Sequence, residues 1–374
     1  MKILRILRVK NNIKNQQFTK TLVKMKANNS SENLEWIDSL RVLATFSVIF
    51  LHVACVPLYQ YGSISNLDWC IGNIYDSSVR FCVPIFLMIS GVLILSKNYE
   101  SIREYLRKRV LRILFPFLFW SIIYIVRDLF LKCNHGEYLT FIEILKFTFV
   151  KLRGGASFHL WYIYLIIGLY LFFPIVGKWI SKSNQHEIKY FIGIWLITIF
   201  AHLPFVKKFI PNIEVSYFSG YIGFSILGYY LAKRSFNINS KKLIYILLIL
   251  TGILIAIFGT FFMTKHKGSY WVGFHNYLSP NVILVSIGIF LLFKDFVKTS
   301  TKISSVVHFF SKYSYGTYLI HILVLWVLEK FGLSYAFVNS IIGIPITSIL
   351  CFIFSTLIIF GVNKLPFLGK YISG

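Results

Sequence analysis

Polar and apolar positions alternate along this 374-residue chain on a long period. Apolar runs of roughly 18 to 25 residues are separated by short segments in which Lys and Arg collect. Ten such runs predict ten helices, over about 37–59, 78–96, 113–131, 159–180, 189–206, 215–232, 243–263, 277–294, 315–331 and 337–362. Runs of this length match the hydrocarbon core of a bilayer, so the pattern predicts an all-α, polytopic membrane protein with about ten transmembrane helices. Nothing in it resembles an appended soluble catalytic domain. Any chemistry must therefore use the membrane helices and their loops.

Basic residues orient the spans. With the N-terminus inside, the inner segments and adjoining span ends carry 27 Lys or Arg and the outer ones 9, with Arg41, Arg80 and Arg127 in or at the ends of spans. This bias predicts both termini on the cytoplasmic side of a multi-pass protein of the cell inner (cytoplasmic) membrane. Residues 1–34 read as a basic N-terminal tail, 35–364 as the membrane domain and 365–374 as a short cytoplasmic tail. The N-terminal tail lacks the continuous apolar core of a signal peptide. Its start, MKILRILRVKNNIK, fits either a basic helix on the inner leaflet or an unstructured tail. The longest outer segment, from Lys132 to Phe158, contains YLTFIEILKFTFVKL, whose apolar residues fall at helical spacing and suggest an interfacial helix.

Composition narrows the function. The chain is 56% hydrophobic with a mean hydropathy of +0.68, more apolar than one soluble core could hide. Its net charge of +25 would suggest nucleic acid in a soluble protein. Here the charge sits between spans, so anionic headgroups of membrane lipids are the expected partners and nucleic acid is not. Five cysteines (Cys55, Cys70, Cys82, Cys133, Cys351) are scattered without metal-ligand spacing, and no metal is expected. They read as small apolar fillers, although Cys70 and Cys133 both fall near outer loops and could in principle pair.

Ionisable residues inside spans are costly and therefore candidates for function. The first span, RVLATFSVIFLHVACVPLY, carries Arg41 and His52 eleven residues apart. At 100° per residue they share one helix face, about 16 Å apart along the axis. Asp38, three residues before Arg41, lies on the same side and can pair with it. His52 fits a general base, since a neutral imidazole can take a proton from a hydroxyl; a histidine bonded to a neighbouring helix for packing is the alternative. Before the third span, Arg103, Arg107, Lys108, Arg109 and Arg112 crowd into ten residues. Arg109 and Arg112, one turn apart, offer two forked guanidiniums that suit phosphate oxygens. An ordinary positive-inside loop would show a similar cluster. Arg80, His159, Trp161 and His321 are further candidates, each with an anchoring or packing alternative. His202, His275 and His308 read as structural or exposed.

Five stretches in order, IDSLRVLATFSVIFLHV, RFCVPIFLMISGVLIL, RKRVLRILFPFLFW, HLWYIYLIIGLYLFFPIV and SYGTYLIH, resemble the motifs of the acyltransferase family 3 integral membrane proteins. The resemblance spans about Ile37 to Phe360 and is nearest to the stand-alone branch, which includes an O-acetyltransferase of surface glycans of the enterobacterial type. It implies transfer of an acyl group, commonly acetyl, from cytoplasmic acyl-CoA to a hydroxyl of a carbohydrate or lipid-linked glycan. It further implies His52 as the essential histidine with Arg41 as its partner, and Arg109 and Arg112, with Arg107 beside them, at the acyl donor. Ser90 and Gly91 match a Ser-Gly pair that allows close helix approach, and His159, Trp161 and His321 fall at recurring positions; these three and Arg80 are the candidate substrate residues. The pantetheine arm of coenzyme A, about 15–20 Å long, is comparable with the axial run from Arg41 to His52. Whether His52 passes a proton or carries the acyl group stays open. The basic N-terminal tail has no counterpart in the family pattern. No esterase-like segment follows span ten in this sequence, which favours single-step transfer to a membrane-near acceptor. A ten-helix transporter or glycolipid flippase would share the composition and topology.

Overall fold

A computed structural model describes residues 35–97, 101–203, 206, 220–297, 301–367 and 369–374. The expected inner-leaflet helix at residues 1–14, and the start of the expected span 215–232, lie outside the described residues. Among the described residues the chain is helical and contains no strand. Its elements are α1 (Glu35–Gln60), α2 (Asn66–Val79), α3 (Cys82–Ile94), α4 (Ile102–Asn134), α5 (Phe141–Gly154), α6 (Trp161–Lys182) and α7 (Gln185–Ala201). They continue with α8 (Ile222–Ala232), α9 (Lys241–Lys267), α10 (Pro280–Phe296), α11 (Thr301–Lys330), α12 (Ser340–Asn363) and the short α13 (Gly369–Ile372). Among the described residues seven spans are long and apolar enough to cross a bilayer, with α2 and α3 forming one of them. The protein is an all-α membrane protein.

Side chains cap several of the helix starts. Ser65, Ser101 and Asn339 accept backbone N–H bonds in the first turns of α2, α4 and α12, satisfying donors that a helix start leaves free. The expected amphipathic segment forms α5, opened by a capping box of Thr140 and Glu143. Its apolar stripe of Phe141, Ile142, Leu145 and Phe149 is exposed, with Phe147 and Leu152 turned to the bundle. α9 exposes Leu243, Leu247, Leu250, Leu254, Phe258 and Phe262. That stripe, at three- and four-residue spacing, suits lipid.

Close helix contacts hold the bundle where lipid tails give no hydrophobic drive. α3 crosses α8 so tightly that a Cβ on Gly91 would lie 1.9 Å from the Ser225 carbonyl oxygen, and one on Gly228 would meet the Met88 backbone at 2.4 Å. The Ser90-Gly91 pair thus allows the close approach expected of it. α1 runs through the centre, with Leu40, Ala44 and Ile49 fully buried. The last residues, read from sequence as a tail, fold back onto the bundle: Trp120 donates its indole N–H to the Ile372 carbonyl at 3.0 Å, and Ser373 is buried. All five cysteines are free thiols.

α2 and α3 are separated by a break at Arg80 and Phe81, and a buried polar network fixes that break. Arg80 donates from Nε to Asp76 Oδ2 at 2.6 Å and pairs with it through a second nitrogen. His275 Nδ1 lies 3.0 Å from the same oxygen and 2.7 Å from the Tyr270 hydroxyl; its Nε2 is 2.9 Å from Ser77 Oγ. Asn73 adds a bond to the Ile257 carbonyl of α9 at 2.9 Å. His275, expected to be structural or exposed, is structural and buried. The network ties α2 to α9 and to the turn before α10. Replacing Asp76 by Ala leaves a buried Arg80 without its counter-charge, and is expected to cost about 3–5 kcal/mol. A thermal unfolding curve of the detergent-solubilised protein should show that loss, with Asp76→Asn, which keeps an acceptor oxygen, losing less.

Candidate functional site

Between the helices that surround α1 lies a cavity of about 450 Å³. α1 contributes Asp38 and Arg41, α4 contributes Arg109 and Arg112, and α11 contributes His308, Ser311, Lys312, Tyr315 and Tyr318. Arg41 donates to Asp38 Oδ1 at 3.0 Å and to Ser311 Oγ at 2.8 Å. The Ser311 hydroxyl in turn donates to Asp38 Oδ1 at 2.6 Å, and His308 Nδ1 lies 3.1 Å from Asp38 Oδ2. Asp38 therefore neutralises Arg41. Arg109, Arg112 and Lys312 have no carboxylate partner among the described residues, so the cavity keeps an excess of positive charge. Such a wall favours a polyanion.

The Arg-x-x-Arg reading is partly a matter of helical phase. Arg109 and Arg112 differ by about 60° around α4 and both reach the cavity. Arg107 lies about 200° from Arg109 and is exposed outside the lining. Lys108 pairs with Glu104 on the surface at 2.5 Å.

A second, smaller chamber of about 20 Å³ lies further along the bundle. Val48, Leu51, Cys82 and Val83 form its apolar wall, with His52, His159, Trp161 and Tyr277 completing it. Phe86, Tyr162 and Tyr318 line both spaces and so form the partition between them. The helical face that the sequence assigned to Arg41 and His52 is thus real: one residue opens onto the basic cavity and the other onto the chamber next to it.

Three imidazoles meet at the chamber. The His52 ring lies 5.2 Å from that of His321, nearly parallel, and 6.4 Å from that of His159; His159 and His321 are 4.8 Å apart. Their hydrogen bonds differ. His321 Nδ1 donates to the Tyr318 carbonyl at 2.6 Å, which leaves Nε2 as a bare, buried acceptor without a protein partner. His159 bonds to Ser157 Oγ at 3.1 Å and to the Leu319 carbonyl at 3.4 Å. The His52 ring has no hydrogen-bond partner among the described residues; it packs edge-on to Phe158 at 5.1 Å. His52 lines the chamber with both ring nitrogens free of protein partners among the described residues, whereas His321, which also has one bare nitrogen, is not part of the lining. The cluster is not arranged to hold a metal ion among the described residues.

Beyond the chamber, Trp161 stacks on Tyr277 at 5.8 Å, and the Arg80 guanidinium lies over the Tyr277 ring at 6.0 Å. Of the candidates read from sequence, Asp38, Arg41, Arg109 and Arg112 therefore gather at the basic cavity. His52, His159 and Trp161 line the chamber, His321 packs behind it and Arg80 stands past it. The sequence missed the contribution of α11 to the cavity, and Asp76 as the partner of Arg80. The first left a trace: His308, Ser311, Tyr315, Tyr318 and His321 recur at three- and four-residue spacing, a polar stripe on an otherwise apolar helix. Asp76-x-x-x-Arg80 likewise carries the spacing of a helical ion pair.

Comparison with known proteins matches this architecture. The family pattern described as an acyltransferase domain covers residues 34–360. The Bacillus subtilis (strain 168) protein YfiQ, provisionally named a membrane-bound acyltransferase, is 22% identical over 303 residues, covering 76% of this chain and 79% of its own. No solved structure gives a significant match. With most of its length inside the family pattern, the chain belongs to acyltransferase family 3 and is a membrane acyltransferase.

Proposed function

We propose that this protein moves a short acyl group, acetyl by default, from cytoplasmic acyl-CoA to a hydroxyl of a surface carbohydrate or lipid-linked glycan. The observation that carries this reading is the adjacency of two spaces, a basic cavity and the His52 chamber, which share Phe86, Tyr162 and Tyr318 as lining residues. Coenzyme A is a polyanion on a flexible arm. Its phosphates suit Arg109, Arg112 and Lys312, with Arg41 fixed beside them by Asp38. The thioester would then reach His52, about 16 Å along α1 from Arg41. In this reading the basic cavity faces the cytoplasm of the inner membrane, an orientation that the positive-inside bias supports. The acceptor would enter from the opposite end, past Trp161, Tyr277 and Arg80, where an aromatic stack and a guanidinium suit a polyhydroxyl ligand. In this reading His159 and His321 shape the reactive end through their contacts with His52.

Two routes use the free His52 ring. In direct transfer His52 takes the acceptor hydroxyl proton as the oxygen attacks the thioester carbonyl. The C–S bond then breaks and the sulfur leaves as thiol with that proton. In the covalent route the imidazole attacks the carbonyl and releases the thiol, and the hydroxyl then takes the acyl group from the acyl-imidazole. Both routes need a neutral imidazole with an available lone pair.

His52→Ala is expected to lower transfer by about 10²- to 10⁴-fold while the thermal midpoint in detergent stays near that of the wild type. Mass spectrometry of acylated surface glycan from complemented deletion cells reads the result, and restored acylation by this variant would exclude His52 as the catalytic group. Removing the charges of Arg109 and Arg112 is expected to raise the KM for acyl-CoA by about 10- to 100-fold, from lost charge-assisted hydrogen bonds. Initial-rate kinetics with both substrates varied should leave the acceptor KM unchanged; an effect confined to the acceptor would reassign the pair.

A further inference from the structure

We infer that the apolar wall of the His52 chamber, above all Val48 and Val83, measures the acyl chain and limits the donor to about two carbons. The inference rests on the donor reading above and deepens it by naming the residues that set donor length. The chamber holds about 20 Å³ of free space. A water needs about 10–15 Å³ on this measure, so the space takes one or two water-sized groups. That suits the methyl and carbonyl of an acetyl thioester. Each further methylene is about as large as a water, whose share of liquid volume is about 30 Å³, and would have to displace wall atoms.

The wall cannot easily yield. Val48 and Leu51 lie on α1, and Cys82 and Val83 open α3 just after its break, all of them buried in the main packed core. The α3 backbone is itself pinned twice, by the Asp76–Arg80 network at its start and by the Gly91 contact with α8 near its end. Overfilling a close-packed site of this kind is penalised through strained rotamers and backbone shifts. The wall also presents no charged or amide group, so it suits a hydrocarbon terminus rather than a carboxylate. The partition at Phe86, Tyr162 and Tyr318 keeps the larger cavity from serving as overflow space beyond the reacting carbon.

The test measures kcat/KM of the purified full-length protein, reconstituted in lipid, for acetyl-, propionyl- and butyryl-CoA with one acceptor glycan. The wild type is expected to fall about tenfold or more per added methylene, the upper part of the range for a snug apolar pocket. Val83→Ala and the Val48→Ala/Val83→Ala double variant should raise the butyryl-to-acetyl ratio by about tenfold or more. The converse Val83→Phe should lower acetyl transfer. Equal use of all three donors by the wild type overturns the gauge and leaves the donor reading intact. Proportional changes for every donor in the Ala variants also overturn it. Failure of every acyl-CoA to serve as donor overturns the donor reading and the gauge with it. The wild-type profile decides the matter even where a variant does not accumulate.

Discussion

An ionisable side chain within an apolar bundle must find a partner or face a polar space, because lipid and packed side chains offer it nothing. That constraint organises this protein around α1. At one end Asp38 holds Arg41 together with Ser311 and His308. Past the other end of the path Asp76 holds Arg80 together with His275. Between these two settled charges lies His52, whose ring no described residue bonds. The packed scaffold pairs the two charges and leaves this ring available.

The geometry also divides the labour by size. The wide space is basic and borders three cations without carboxylate partners among the described residues. The narrow one is mostly aromatic and apolar, and holds the free imidazole. A donor with a bulky charged end and a small reactive end fits this order, and the opposite order would place phosphates against Val48, Leu51 and Val83. The close crossing of α3 and α8 at Gly91 and Gly228 holds the helix that carries Cys82, Val83 and Phe86 against its neighbour.

Much of this was legible in the sequence. Apolar run length gave the helices and the membrane class, and a period of 3.6 residues put Arg41 and His52 on one face. What could not be read was contact across great sequence distance. Ser311 meets Asp38 from 273 residues away, and His275 meets Ser77 from 198. Helical spacing within one element says that a residue lies on a polar stripe without saying which other stripe it faces. Arg107 shows the complementary error, since a charge cluster counted along the chain ignores phase, and only Arg109 and Arg112 of the cluster line the cavity. Helix α2 was also hidden, because the Asn, Asp and Ser residues of NLDWCIGNIYDSSV make it read as an outer loop before the span expected at 78–96.

The most direct test of the account is a structure of the protein in a lipid disc with a non-transferable acetyl-CoA analogue bound. The account predicts the phosphates among Arg41, Arg109, Arg112 and Lys312. It also predicts an arm that passes between Phe86, Tyr162 and Tyr318, and a carbonyl carbon within about 3–3.5 Å of a His52 ring nitrogen, the separation of a near-attack geometry. A nucleotide bound elsewhere, or an arm that stops in the large cavity without reaching His52, would contradict it.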